Sequence, residues 1–130
     1  MSVTNAQAAE FVQGYLDAFC QKDLEKCLGF YLIGAEMSFG PVHLRGNEDL
    51  TRWHKARFDA NASVVHVEAV SADGDVVKVE GKMTSNRLKT WRIQTISGVA
   101  EFTLHQGKIS EARFRMNPKS VVPAPATATG

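Results

Sequence analysis

Residues 11–19 read Phe-Val-Gln-Gly-Tyr-Leu-Asp-Ala-Phe, and this stretch carries the clearest periodicity in the chain. Apolar side chains recur three or four positions apart, at the spacing of one continuous stripe on an α-helix: Ala8, Phe11, Val12, Tyr15, Leu16 and Phe19. Thr4, with Gln7 three positions later, forms a capping box that satisfies backbone N–H groups at a helix start. The sequence therefore predicts a first helix that begins near Asn5.

The pattern that follows predicts two more helices and a short strand. Asp23 can cap a second helix, which Gly34 can end in the left-handed conformation. The apolar stripe of this second helix consists of Leu24, Cys27, Leu28 and Tyr31. A strand over Glu36 to Phe39 comes next. A third helix is expected after Gly46, with Asn47 as its cap.

From Ser63 onward the apolar period shortens from about 3.6 residues to two, which indicates strands. Asp73-Gly74 supplies a hairpin turn, and a bulge near Ser97-Gly98 keeps the apolar residues on either side of it on one face. Pro118 ends the last strand. We expect the buried face to carry Val65, Val67, Ala69, Val77, Val79, Gly81, Met83, Trp91, Ile93, Ile96, Ala100, Phe102, Leu104, Ala112, Phe114 and Met116.

Length and charge bound the class of protein. The chain has 130 residues and a formal charge of +1, which disfavours nucleic acid as a partner. No export signal or membrane-spanning stretch is visible, so we expect a cytoplasmic protein without a membrane partner. Cys20 and Cys27 have neither redox nor zinc spacing. Residues 1–118 are predicted to form one domain, and residues 119–130, rich in Pro, Ala and Thr, a mobile tail.

The order of helix, short helix, strand, helix and four-stranded meander resembles the NTF2-like superfamily, in its SnoaL-like and ketosteroid-isomerase-like branch. Local sequence agrees in five segments: 11–19, 22–25, 45–46, 72–75 and 107–109. The resemblance implies an α+β cone, in which a curved antiparallel sheet wraps around three N-terminal helices. It also implies an interior that holds a small hydrophobic molecule, and a homodimer formed through the outer face of the sheet. Members include isomerases, polyketide cyclases, dehydratases, epoxide hydrolases and proteins without catalytic activity.

Tyr15 matches the tyrosine of ketosteroid isomerases that donates a hydrogen bond to the substrate oxygen. A core aromatic whose hydroxyl meets any acceptor explains the same position. The family's proton-transfer groups have no counterpart here, since the resemblance aligns them with Phe39 or Gly40, with Ala100 and with Phe114. None of these side chains can move a proton.

Histidine is then the remaining candidate for general base. His43 follows Gly40-Pro41 at a strand-to-helix corner, and its ordinary pKa suits proton transfer, although a solvated loop histidine fits equally well. His54 is expected to cover the pocket edge, and His66 and His105 are expected to be solvated. The four histidines show no metal-ligand spacing, and we predict neither a metal nor a cofactor.

Glu101, Glu111, Arg113 and Arg115 alternate with the apolar residues of their strands, so cross-strand charge pairs on the outer face are the simplest interpretation. Asn117 can either offer a hydrogen-bond donor and acceptor at the mouth of the cone or turn the chain before Pro118. The expected ligand-binding residues are Phe19, Phe39, Trp53, His54, Trp91, Phe102, Phe114, Met116 and Asn117, and core filling alone explains the aromatic ones.

Two functions remain open. The first is a small-molecule enzyme that isomerises, cyclises or dehydrates a hydrophobic polycyclic or polyketide-like substrate by proton shuttling, with Tyr15 and His43 as catalytic residues. The second is a non-catalytic ligand-binding or dimerisation module of the same fold. The missing carboxylates favour the module, and the tyrosine favours the enzyme.

Overall fold

The computed structural model describes residues 3–123 as four helices and six strands. In chain order they are α1 (Asn5–Cys20), α2 (Leu24–Leu28), β1 (Tyr31–Phe39), β2 (Val42–Arg45), α3 (Gly46–Asp59), β3 (Ser63–Asp73), β4 (Val76–Thr84), α4 (Asn86–Thr90), β5 (Ile93–His105) and β6 (Lys108–Pro123). None of the described helices is long and apolar enough to cross a bilayer.

The six strands form one curved, unclosed sheet in the order β2-β1-β6-β5-β4-β3. Strands β3 to β6 are the predicted antiparallel meander, but β1 and β6 pair in parallel, so the sheet is mixed rather than wholly antiparallel. The three predicted helices pack against one face, as expected of an α+β cone, while the outer face is left uncovered by them.

The start of α1 follows the sequence closely. The Gln7 backbone N–H donates to Thr4 Oγ1 at 3.0 Å, and the Thr4 N–H donates to Gln7 Oε1 at 3.0 Å, which is the predicted capping box. The Ala72 N–H donates to Asn5 Oδ1 at 3.1 Å and ties the helix to β3. The predicted stripe is largely buried and forms the floor of the core.

Three details around α2 and α3 differ from the prediction. Helix α2 is capped by Asp23 as expected but ends at Leu28, and Tyr31 lies on a strand. Gly34 sits inside β1 with φ +78°, at an irregularity that leaves Ile33 fully exposed. The cap of α3 is not Asn47, because the Asp49 carboxylate accepts the Arg45 N–H at 3.0 Å instead. Strand β2 and helix α4 were not predicted.

Strand β3 is the clearest error in the face assignment. Its register shifts twice against β4, between Val64 and His66 and again between Val67 and Ala69. The predicted inward set of Val65, Val67 and Ala69 is exposed. Val65 lies within the first shift, and the second shift places Ala69 opposite Glu80 on the outer face, since a one-residue slip moves a side chain to the opposite face. Val70 and Ala72 pack against the core in their place.

Strands β4, β5 and β6 place their apolar sets as predicted. Val77, Val79, Phe102, Leu104 and Ala112 are buried. Trp91 is an exception: it follows α4 as its cap, outside β5, and is 62% exposed.

The end of β6 also differs from the prediction. The strand passes Pro118 and continues to Pro123, with extra residues bulging between Asn117 and Val122 opposite β5. A proline without an N–H fits in such an interruption of the ladder. The bulge of this hairpin therefore lies mainly on β6, beside the predicted site at Ser97. Of the predicted tail, residues 124–130 lie outside the described residues.

Candidate functional site

Three polar side chains meet inside the cone and form one chain of hydrogen bonds. The Tyr15 hydroxyl on α1 lies 2.5 Å from the Tyr31 hydroxyl on β1 and 2.8 Å from Nε2 of His54 on α3. Nδ1 of His54 lies 2.7 Å from the Leu50 carbonyl oxygen. Tyr15 and Tyr31 are 4% and 6% exposed and His54 is completely buried, so the chain is shielded from water.

The Leu50 carbonyl settles the direction of these bonds. A carbonyl oxygen can only accept, so Nδ1 of neutral His54 carries the proton and Nε2 is the acceptor. Tyr15 therefore donates to Nε2, and its oxygen accepts the proton of Tyr31. We call this ordered chain, Tyr31 to Tyr15 to His54, the phenol relay.

Burial keeps the members of the phenol relay uncharged. It raises the pKa of Tyr15 well above 10.0, with the neighbouring Tyr31 acting in the same direction. It also raises the pKa of Tyr31, against a smaller lowering by the hydrogen bond that joins Tyr31 and Tyr15. The pKa of His54 is lowered from 6.5, mainly by burial and further by the charge of Arg57, against the effect of the Leu50 bond. At neutral pH the relay holds two phenols and a neutral imidazole.

An aromatic shell surrounds the phenol relay. Phe30 stacks on Tyr15 with ring centroids 5.4 Å apart, and Phe102 lies 5.6 Å from it. On the His54 side, the Trp53 ring is 4.9 Å away and stacks on Phe114 at 5.1 Å. The shell is completed by Phe19, which contacts Tyr15, Trp53, His54 and Phe58. Several predicted lining residues thus converge around Tyr15 and His54.

His43 lies elsewhere. It is an exposed residue of β2, in a groove of about 530 Å³ that is lined with both acidic and basic side chains. The groove lies between β1, β2 and β6, and no member of the phenol relay lines it. The structure therefore does not bring the two predicted catalytic residues, Tyr15 and His43, together.

The remaining predicted lining residues are spread along the mouth of the cone, where β1 and β4 end and β5 begins. Phe39 and Met116 are half-buried there, and the sulfur of Met116 lies against Gly98. Asn117 is exposed, and its Oδ1 accepts the Lys119 N–H at 3.1 Å within the bulged part of β6. Trp91 points largely into solvent.

The charged residues of β5 and β6 lie on the outer face, as the alternation predicted. Arg115 donates to Glu101 at 2.9 Å and Arg113 to Glu111 at 2.7 Å. Within residues 3–123 no aspartate or glutamate is buried, so the interior offers no carboxylate for proton transfer. In the same range no three His, Cys, Asp or Glu side chains are grouped to hold a metal ion.

Sequence reasoning missed two residues of this region, Tyr31 and Arg57. Tyr31 was assigned to the stripe of α2, although the run Phe30 to Ile33 after Gly29 has the aromatic and β-branched composition of a strand. That composition was the available signal. No pattern in the sequence singles out Arg57.

A curved, unclosed sheet around N-terminal helices, with an aromatic interior, is the fold of NTF2-like proteins. The sequence pattern of the SnoaL-like domain matches residues 12–112. The chain therefore belongs to the SnoaL-like family of that superfamily. No curated protein matches it.

Solved structures show the same fold at low sequence identity. The epoxide hydrolase/cyclase-like enzyme SalBIII, which has a role in pyran ring formation in the polyether salinomycin, is 21% identical with a TM-score of 0.78, covering 91% of this chain and 96% of that one. A candidate ketosteroid isomerase from Kribbella flavida is 16% identical with a TM-score of 0.73, covering 95% and 87%. A SnoaL-like protein of unknown function from Burkholderia thailandensis is 20% identical with a TM-score of 0.73, covering 90% and 99%.

Proposed function

We propose that the chain is a proton-transfer enzyme that isomerises, cyclises or dehydrates an apolar polycyclic or polyketide-like substrate. The phenol relay is the observation that carries this proposal, because it links a buried base, His54, to two phenols by short bonds. Membership of the SnoaL-like family, together with neighbours described as isomerase and cyclase, supports the same reaction classes.

In the proposed mechanism the proton moves along the relay in one concerted shift. A substrate proton passes to the Tyr31 oxygen while the Tyr31 proton passes to Tyr15 and the Tyr15 proton to Nε2 of His54. The relay then holds one added proton, as an imidazolium, and the substrate carries the electron pair. Neither phenol has to ionise fully, which matters because burial raises both phenol pKa values.

The lowered pKa of His54 suits a group that holds the transferred proton only briefly and then returns it to the substrate. A buried imidazolium is unfavourable, so the proton returns along the same path to another atom of the substrate. Isomerisation and dehydration both need such a return: the first to a new carbon, the second to a leaving oxygen. His43 remains the competing base, from its separate groove.

The test is exchange of the α-protons of 2-tetralone, a bicyclic ketone, in D2O, followed by proton NMR. We expect the protein to accelerate exchange, and Tyr15→Phe and His54→Gln each to reduce the acceleration about a hundredfold, within the range of general acid–base catalysis. His43→Ala is the matched control and should keep full activity. Loss of activity in His43→Ala with retention in His54→Gln would assign the base to the outer groove instead.

A binding module is the second candidate, and a specific observation favours it: no described carboxylate is buried in the interior. Under this proposal the phenol relay only satisfies polar groups within an aromatic core. Saturable binding of 2-tetralone without any acceleration of exchange, at one site per chain, would support the module over the enzyme.

We also propose that the outer face of the sheet forms a homodimer. It presents charges of both signs in neighbouring pairs, among them Glu101 with Arg115 and Glu111 with Arg113, which suits a self-complementary interface. Light scattering after size-exclusion chromatography should give twice the chain mass. The double change Arg113→Glu and Arg115→Glu should give the monomer, and an unchanged dimer would place the interface elsewhere.

A further inference from the structure

One arginine differs from the ion-paired arginines of the described chain. The guanidinium carbon of Arg57 lies 4.9 Å from the Trp53 ring centroid and 5.6 Å from that of Phe39, at the mouth of the cone. It is partly buried, yet it forms no ion pair with any carboxylate of residues 3–123, Asp59 on the same helix included. The arginines that are paired all have exposed side chains: Arg45, Arg52, Arg113 and Arg115.

A second unmatched group lies beside it. The indole Nε1 of Trp53 is buried and has no hydrogen-bond partner among the described residues. A buried donor without an acceptor is unfavourable, as is a partly buried cation without a counterion. Both groups need an acceptor, and both belong to residues in direct contact with one another.

The surroundings are also basic. Residues 81–100, which include α4, carry four basic side chains and no acidic one, although the whole chain has a charge of only +1. Helix α4 is attached to the end of α3, where the Asn86 N–H donates to the Ala60 carbonyl at 2.7 Å. The pKa of Arg57 is lowered mainly by burial and further by the positive charge of Arg87 on α4, which lies nearby.

We propose that Arg57 binds the carboxylate of a planar, apolar ligand at the mouth of the cone, and that the Trp53 indole supports the guanidinium from below. A guanidinium presents two parallel N–H donors that match a carboxylate, and its binding would supply the missing counterion. Trp53 stacks on Phe114 with ring centroids 5.1 Å apart, and this aromatic pair beside Arg57 gives the apolar body of such a ligand a surface to pack against.

The proposal concerns binding. It rests on the proposed function only in one respect, that the ligand occupies the interior of the cone proposed for the substrate. It narrows the substrate class from apolar molecules in general to apolar acids. The phenol relay lies deeper, at His54 one helical turn before Arg57. A carboxylate held at the mouth would therefore direct the opposite end of the ligand toward the relay.

The test compares anthracene-9-carboxylate with its neutral analogue, 9-anthracenemethanol. In a Trp91→Phe background Trp53 is the only tryptophan, so quenching of its fluorescence reports binding beside Arg57. We expect the carboxylate to bind about tenfold more tightly than the alcohol, as one charge-assisted pair would give. Arg57→Gln should remove this preference and leave the affinity for the alcohol unchanged.

Arg52→Gln is the matched control, because Arg52 lies on the same helix but is exposed and paired with Glu48 and Asp49. Arg52→Gln should keep the tenfold preference for the carboxylate. Arg57→Lys should show a preference that is smaller than tenfold but still measurable. Equal affinity of the two probes in the parent protein, or an undiminished preference in a folded Arg57→Gln variant, would overturn the proposal, as would binding of neither probe. If the parent protein prefers the carboxylate but does not accelerate the exchange of 2-tetralone, the proposed enzymatic function is overturned and the proposed binding site stands.

Discussion

Nδ1 of His54 lies 2.7 Å from the carbonyl oxygen of Leu50, one helical turn earlier on α3. This bond, made within a single helix, determines which imidazole nitrogen faces Tyr15 as an acceptor. The helix backbone thus orients the imidazole of the phenol relay, a role that a carboxylate plays in many other histidine sites.

Lowering the pH should destabilise the protein through His54. Burial lowers the pKa of His54 from 6.5, so between that value and the folded-state pKa the unfolded chain binds more protons than the folded one. The stability is present above about pH 6.5 and is lost as the pH falls toward the folded-state pKa, by at most about 1.4 kcal/mol per pH unit. Urea unfolding at pH 7.5 and 5.5 measures this.

His54→Gln provides the comparison, since glutamine does not titrate. It should lose less stability than the parent between the same two pH values. An equal loss in both proteins would assign the pH dependence to other groups.

Removing the central hydroxyl of the relay should cost more than removing the terminal one. Tyr15→Phe leaves both Nε2 of His54 and the Tyr31 hydroxyl without partners, at a cost of about 1–3 kcal/mol. Tyr31→Phe removes one donor to Tyr15 and should cost about 0.5–1.5 kcal/mol. Denaturant unfolding of both variants decides the order, and a larger loss for Tyr31→Phe would contradict the bond direction that we derive.

Two glycine-to-alanine changes should have opposite signs. A Cβ at Gly81 would lie 2.8 Å from the His66 carbonyl oxygen, so β3 must move, and we expect a loss of about 1–3 kcal/mol. At Gly14, in the middle of α1, the nearest atom is 3.4 Å away on the Phe30 ring, and alanine should add about 0.5–1 kcal/mol. Thermal unfolding of the pair tests this, and a stabilised Gly81→Ala would be inconsistent with the close approach of β3.

Shortening the chain should locate the end of its folded part. A chain that ends at Pro118 loses the pairing of β5 with Val122 and Pro123 and the bond from the Ser97 N–H to Ser120 Oγ. We expect it to be about 1–2 kcal/mol less stable than a chain that ends at Pro123. Equal unfolding midpoints would instead support the earlier boundary at Pro118.

The sequence was sufficient where one local rule acts alone. The Thr4 and Gln7 capping box, the stripe of α1 and the alternation of β4 to β6 were all predicted, because each depends on neighbours along the chain. The outward placement of Glu101 and Arg113 followed from the same alternation. These elements define the cone, and so the class of fold could be predicted before the structure.

The sequence was insufficient where distant segments meet. The parallel pairing of β1 with β6 draws Tyr31 into a strand and brings it to Tyr15, and no local pattern records that pairing. The bulges of β3 leave Val65 unpaired and place Ala69 opposite Glu80 on the outer face, since alternation gives spacing but not register. Likewise His54 gains its role from contacts with α1 and β1, while His43 looked equally suitable by its position in the chain.

The two register shifts of β3 have a consequence for the behaviour of concentrated solutions. This strand lies at one end of the sheet, paired with β4 on one side only, and it exposes Val65 and Val67. A regular edge strand can pair with a strand of a neighbouring molecule. The bulges of β3 interrupt the regular spacing of backbone hydrogen-bonding groups that such pairing requires. Variants that remove the two register shifts should therefore aggregate at lower protein concentration than the parent, which light scattering measures.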